Sequence, residues 1–173
     1  VILGTTGSSN FPTSQNAYCR TFHGGINISY LGSSTMSFPN GSDIFVCRLS
    51  DDGTQLPAST YIGGSGNDGL NYKQRFSSSN DRVMLGNDSL YFNYGDGARG
   101  ELITDDLNNV YVGSCTFSTD FPTTANVFQP TSNGKQEGVV FKLDYNLSNL
   151  LWSSYLGGSN DDAAYSIDTD DEY

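Results

Sequence analysis

The sequence predicts an all-β chain made of blades of a β-propeller, four-stranded antiparallel sheets, about two of them belonging to a larger propeller. Three observations predict it. Short runs alternate apolar and polar residues with the period of two that a sheet face requires, as in Val139, Phe141 and Leu143 against Val140 and Lys142. Twenty glycines and many Asp, Asn and Ser residues punctuate those runs with turn chemistry. Most of the chain also repeats itself.

Residues 43–68 align without gaps to 137–162, so that Val46, Leu49, Leu56, Ser59, Tyr61, Gly63, Gly64, Ser65 and Asp68 each recur 94 positions later. Residues 1–18 align to 111–128, where Thr6, Ser8, Phe11, Pro12, Thr13 and Asn16 recur 110 positions later. The difference between the offsets puts 16 extra residues in the first copy, between Tyr18 and Asp43. A second excess lies between Asp68 and Glu101, where Leu90, Phe92 and Tyr94 predict one strand of an added hairpin. A fixed self-similarity of this kind is the mark of stacked units, because one such sheet cannot cover both its faces alone.

The second copy resolves into strands at about 101–105, 110–116, 138–144 and 150–156, the first two joined through Asp106-Leu107-Asn108-Asn109. In the first copy Asp51-Asp52-Gly53 turns strand 43–49 back into strand 56–62. The domain plan is thus 1–100 as a first unit interrupted at about 19–42 and 69–100, then 101–162 as a full second unit. Residues 165–173 match 102–110 in phase, with Asp168 opposite Asp105, and 163–173 are expected to open a following blade; the chain is then a piece of a longer array, or its ends pair with another copy. Phe11, Phe45, Tyr61, Phe121, Phe141 and Tyr155 are the expected packing residues between blades. Pro12 and Pro122 sit just past strands, where a missing N–H is harmless. Gly63-Gly64 and Gly157-Gly158 are expected to serve positive φ or a close backbone approach.

At this point the residues resemble a bacterial β-propeller repeat family, SBBP. The stretches that carry the likeness are ITDDLNNVYVGSCTFSTDFPTTANVFQP, GVVFKLD and YLGGSNDDAAYSID in the second copy, with GTTGSSNFPTSQNAY, DIFVCRL and STYIGGSGND in the first. Cys47, Phe141 and Asn108 depart from the family's preferences. The resemblance implies a structural or interaction module of a large exported bacterial protein, outside the cell or on its surface, serving adhesion or gliding motility. Its partners would be other repeats or domains of the same protein, a glycan or a surface protein. It supplies no shared catalytic set.

Composition limits the function classes. Eight Lys and Arg against 19 Asp and Glu give a net charge of −11, which provides no footprint for a phosphate backbone or an anionic membrane. No apolar run approaches the roughly 20 residues of a membrane span. Cys19, Cys47 and Cys115 form no CxxC pair and His23 is the only histidine, which leaves no zinc set; Cys47 and Cys115 are expected to be buried as small apolar residues. No catalytic, cofactor-binding or metal-ligating residues are assigned. The acids Asp161, Asp162, Asp168, Asp170, Asp171 and Glu172 raise calcium as the one cofactor to test, although they lack the D-x-D-x-D-G loop spacing.

Two rival functions remain. Phe22, Tyr30, Phe38, Tyr72, Phe76, Tyr91, Phe92 and Tyr94 in the inserted loops make a lectin-like, carbohydrate-binding surface the first alternative. A propeller glycosidase is the second, since SDDGT at 50–54 superficially resembles a sialidase Asp-box turn. Arg20, Arg48, Arg75, Arg82 and Arg99 show no carboxylate-clamp motif, and His23 has no nucleophile motif beside it. Asn27, Asn40, Asn87 and Asn146 match the glycosylation tripeptide, as Ser/Asn-rich chains do by chance.

Overall fold

The computed structural model of the chain describes residues 1–30, 37–71, 73–76, 82–85 and 100–170. Among them the fold is all-β, with eleven strands and no helix. The first unit is a three-stranded antiparallel sheet of β1 (Ile2–Thr6), β4 (Asp43–Arg48) and β5 (Ala58–Ile62), in the order β1-β4-β5. The second is a four-stranded antiparallel meander of β8 (Glu101–Thr104), β9 (Val110–Thr116), β10 (Glu137–Leu143) and β11 (Leu150–Leu156). Each predicted strand of the second copy is present within a residue or so of its expected bounds. In the first copy, Ala58 rather than Leu56 opens β5, because Pro57 supplies no N–H to the ladder.

The two sheets share one core. Ile44 and Val46 of β4 and Ile62 of β5 meet Val110 and Val112 of β9, Val139, Phe141 and Leu143 of β10 and Tyr155 of β11, all nearly inaccessible to water. The alternation read in the sequence selects these residues: every second side chain of β10 points into the shared layer. Of the six expected packing residues, Phe121, Phe141 and Tyr155 belong to this layer. Phe11, Phe45 and Tyr61 do not. They cluster with one another on the opposite face of the first sheet, Phe11 and Phe45 with ring centroids 4.2 Å apart. The register explains the split. Phe45 and Ile44 are neighbours on β4, and Ile44 takes the inward face.

Strand connections repeat atom for atom. The Tyr61 hydroxyl donates to Ser8 O at 2.7 Å and accepts the Phe11 N–H at 2.9 Å; the Tyr155 hydroxyl does the same with Ser118 O and Phe121 N–H, both at 2.9 Å. Ser14 N–H reaches Ser59 O as Thr124 N–H reaches Ser153 O. Gly53 holds φ +70° in the turn between β4 and β5, and Leu147 holds φ 54° at the equivalent place between β10 and β11. A branched residue there is strained by roughly 1–2 kcal/mol. Leu147 offsets it by complete burial, whereas open space surrounds Gly53.

The insertions meet each other. The equivalence of Gly24 with Gly134 and of Ser42 with Gln136 narrows the first insertion from 19–42 to about 25–41. Gly25 N–H to Asn40 O, 3.0 Å, closes its base. Its strands β2 (Ile28–Tyr30) and β3 (Ser37–Phe38) pair with a hairpin from the second insertion, β6 (Lys73–Phe76) and β7 (Arg82–Leu85), in the order β3-β2-β7-β6. The β2–β7 pairing is parallel. The expected strand through Leu90, Phe92 and Tyr94 lies outside the described residues. In this chain residues 163–170 form no strand, and Ala164 N–H reaches Ser114 O at 3.1 Å. Ile167 N–H reaches Glu101 Oε2 at 2.8 Å, and the Tyr165 hydroxyl accepts from Asn71 at 2.6 Å, so the tail lies on the second unit.

Loss of the Tyr155 hydroxyl strands a carbonyl and an N–H in a buried site. Tyr155→Phe is expected to lower unfolding stability by about 1–3 kcal/mol in urea denaturation, and Tyr61→Phe, whose bonds are less buried, by less.

Candidate functional site: the junction between the sheets

The segment Gly63–Gly69 leaves β5 and crosses onto the end of β9, where Asp68 bridges to Thr116 and Gly69 N–H reaches Cys115 O at 2.8 Å. Asp68 is fully buried. Its carboxyl accepts the Gly64 N–H at 2.9 Å and hydrogen-bonds the hydroxyls of Thr116 and Ser118, with Ser118 Oγ 2.9 and 3.0 Å from its two oxygens. The Ser118 hydroxyl is shared between the two oxygens. Burial pushes the Asp68 carboxyl up to about 8, against the hydrogen bonds from Thr116, Gly64 and Ser118 that favour the anion.

The glycines make the crossing possible. Neither Gly63 nor Gly64 has positive φ; the close approach is what they serve, since a Cβ on Gly63 would stand 2.5 Å from Asp68 Oδ2 and one on Gly64 2.5 Å from Asp120 Oδ1. Ser65 N–H and Oγ both reach Asp120 Oδ1, and Gly66 N–H reaches Ser118 Oγ. At the far end of the junction the Arg48 guanidinium donates to Asn108 O at 2.9 Å and lies 4.5 Å over the Tyr145 ring. Each of these contacts joins the first unit to the second.

Half of the junction recurs. Gly158 N–H donates to Asp162 Oδ2 at 2.7 Å, as Gly64 does to Asp68, and Ser8 N–H donates to Thr6 Oγ1 at 3.1 Å, as Ser118 does to Thr116 at 2.8 Å. Asp162 meets no hydroxyl pair among the described residues, and Thr6 and Ser8 meet no carboxylate.

Among the described residues are two clefts, the first beside the junction and the second on the second unit. One of about 350 Å³ is lined by Tyr18, Cys19, His23, Gly63, Gly64 and Asp120, among others. His23 is held there by its backbone: its N–H and that of Gly24 donate to the buried Asp43 carboxylate at 2.8 Å, with the His23 ring 3.8 Å away. Burial raises the Asp43 carboxyl against those two N–H bonds. The second cleft, about 970 Å³, gathers Asp105, Asp106, Asp168 and Asp170 with Tyr111 and Lys142. Lys142 is committed inside it, 3.0 Å from Asp105 Oδ2 and 2.6 Å from the Tyr111 hydroxyl. Burial works against Asp105, yet hydrogen bonds from Asn109 and Lys142 outweigh it and hold the carboxyl well below the usual range.

The expected acid cluster is therefore divided: Asp168 and Asp170 line this cleft, Asp162 caps Gly158, and Asp171 and Glu172 lie outside the described residues. Among the described residues no three His, Cys, Asp or Glu side chains stand together as a metal set. All three cysteines are free, Cys47 and Cys115 buried. In the SDDGT turn Asp52 accepts Ser50 Oγ, Thr54 N–H and Thr54 Oγ1, which lower its carboxyl to about 2 and close the turn on itself. Of the loop aromatics, Phe22 packs against Tyr61 and Phe38 is buried. The side chains of Tyr30, Tyr72, Phe76, Tyr91, Phe92 and Tyr94 lie outside the described residues. Comparison with family models, with curated proteins and with solved structures gave no match.

A carboxyl that ionises less readily when folded stabilises the fold below its unfolded pKa of about 4 and withdraws that contribution as pH rises through its folded value. Asp68 and Asp43 are both raised, and the lowered carboxyls titrate below this range. Stability by urea denaturation is expected to fall between pH 5 and 8 as Asp68 ionises, with a slope of up to about 1.4 kcal/mol per pH unit. Asp68→Asn is expected to flatten that slope.

Proposed function

We propose that the chain is a non-catalytic structural and interaction module: two successive blades of a β-propeller, holding loops or neighbouring domains in fixed positions within a large secreted or surface-attached bacterial protein that serves adhesion or motility. The observation that carries the reading is the junction at Asp68, which ties one sheet face to face with the next through a buried carboxyl. The hydrogen-bond set shared by the two units supports a serial stack, in which each sheet shields its neighbour. Buried polar groups at the junction are engaged in holding the sheets together, with Asp68, Thr116 and Ser118 all committed to it. A rigid stack of this kind suits presentation, because loops fixed on a stiff frame bind without first being ordered.

The reading requires the two sheets to behave as one cooperative body. Trp152 fluorescence reports the second sheet, and amide exchange at β4 and β5 reports the first. Both are expected to give one unfolding midpoint. Asp68→Ala, which removes the partner of two hydroxyls and an N–H, is expected to lower the unfolding free energy by about 2–4 kcal/mol and to raise exchange in both sheets. Independent unfolding of the sheets in the unsubstituted chain, or turnover of a glycan panel, would overturn the proposal.

A further inference from the structure

One turn recurs in both units with a different residue at its tip. His23 N–H donates to the buried Asp43 carboxyl at 2.8 Å, and Asn133 N–H donates to the buried Glu137 carboxyl at 2.6 Å. Asp43 and Glu137 are aligned in the repeat. The next residue is in each case a glycine with positive φ, +73° at Gly24 and +94° at Gly134. The same place therefore carries His-Gly in the first unit and Asn-Gly in the second. In an Asn-Gly pair the main chain can attack the side chain, because the glycine has no Cβ to crowd its own nitrogen or restrict its φ.

The chain holds two Asn-Gly pairs, and the fold treats them differently. Asn40-Gly41 is closed. Gly41 is buried, its N–H donates to Phe38 O at 3.1 Å, and Asn40 O accepts the Gly25 N–H at 3.0 Å. A Cβ on Gly41 would overlap Gly25, so this peptide has no room to turn. Asn133-Gly134 is open. Both residues are exposed, and nothing stands within 4 Å of where a Gly134 Cβ would be. Gly134 N–H donates to the Ser132 hydroxyl at 2.9 Å, a bond open to water, and the Asn133 carboxamide has no hydrogen-bond partner among the described residues. This openness does not come from a missing neighbour. His23 has Asp120 and Pro122 of the second unit across its cleft, and its side chain is still 41% exposed.

We infer that Asn133 is a site of spontaneous covalent modification, converting to aspartate and isoaspartate while the fold protects Asn40. The Gly134 nitrogen bonds to Asn133 Cγ, and the bond from Cγ to Nδ2 breaks. The proton of the Gly134 N–H goes to Nδ2, which leaves as ammonia, and a succinimide ring remains. Water then opens the ring at one carbonyl or the other, giving aspartate or isoaspartate. Isoaspartate adds a carbon to the main chain between Asn133 N and Glu137, and either product puts a carboxylate on the residue whose N–H holds that buried acid. The turn is expected to loosen as a result. The inference goes beyond the structural role proposed above and does not depend on it.

Storage of the 173-residue chain at mildly alkaline pH, followed by peptide mass spectrometry, tests it. The peptide holding Asn133 is expected to show the mass change of amide to acid and to become a substrate for isoaspartyl methyltransferase. Conversion at Asn40 is expected to be slower by about tenfold. In urea the two sites are expected to convert at similar rates, since both then lie in open chain. Asn133→Gln is expected to stop conversion in its peptide, because the longer side chain must close a larger and slower ring. The converted fraction, separated by its extra negative charge, is expected to show faster amide exchange over residues 129–137. Conversion of Asn40 as fast as Asn133 in the folded chain, an Asn133 that stays intact when folded but converts in urea, or a difference that persists in urea would each overturn the inference. Unchanged exchange in the converted fraction would overturn the loosening of the turn.

Discussion

A sheet of three or four strands exposes two broad faces, and the described residues hold no helix to cover them. Burial between like sheets is the available solution, and it demands that each sheet present one face to its predecessor and the other to its successor. The alternation of β4 meets this demand with Ile44 and Val46 on one side and Phe45 and Cys47 on the other. Both sets are apolar, which is unusual for a sheet with a solvated face and expected for one packed on both. Asp68 fixes how the two sheets sit. Hydrophobic contact alone is non-directional. A carboxyl buried against two hydroxyls and an N–H is satisfied only in one placement, and an unsatisfied group there costs more than the bond gains.

The strands and the repeat were legible because they depend on local and periodic signals. Turn chemistry at Asp51-Asp52-Gly53 and the alternation of β10 each need only a few neighbouring residues to be recognised, and the gap-free alignment then ties the two units together. The division of the aromatic residues was not legible. Phe11 and Phe121 occupy equivalent positions, but only the second has a sheet standing over it, so identical sequence yields different burial. The tail shows the same limit: residues 163–170 carry the pattern of β8, and pattern without a partner strand makes no ladder.

The junction itself left a trace that was seen without being understood. Thr6 and Ser8 recur as Thr116 and Ser118, and Asp68 recurs as Asp162, so the two parts of the latch repeat at different offsets. That difference is the informative part. Residues that must meet across the boundary between units, rather than within one, are conserved in both copies while the distance between them absorbs insertions. The lengths of those insertions concealed the pairing of β2 with β7, a parallel contact between segments too far apart for any local signal to announce.

Charge explains why the latch is built from an acid that gives up its charge. The chain carries a net −11, and the junction packs two parts of it against each other. An ionised carboxylate at the centre of each contact would add to that repulsion and would have to be stripped of water without a cation beside it. Asp68 has hydroxyls and an N–H around it and no Lys or Arg among its hydrogen-bond partners. Held neutral, it supplies direction through hydrogen bonds alone. An asparagine would be similar in size, but its NH2 group can only donate where the acid has an oxygen able either to donate or to accept, and Ser118 Oγ already receives the Gly66 N–H. Aspartate at this place therefore links the cohesion of neighbouring sheets to proton concentration, whereas the apolar layer beneath it is indifferent to pH.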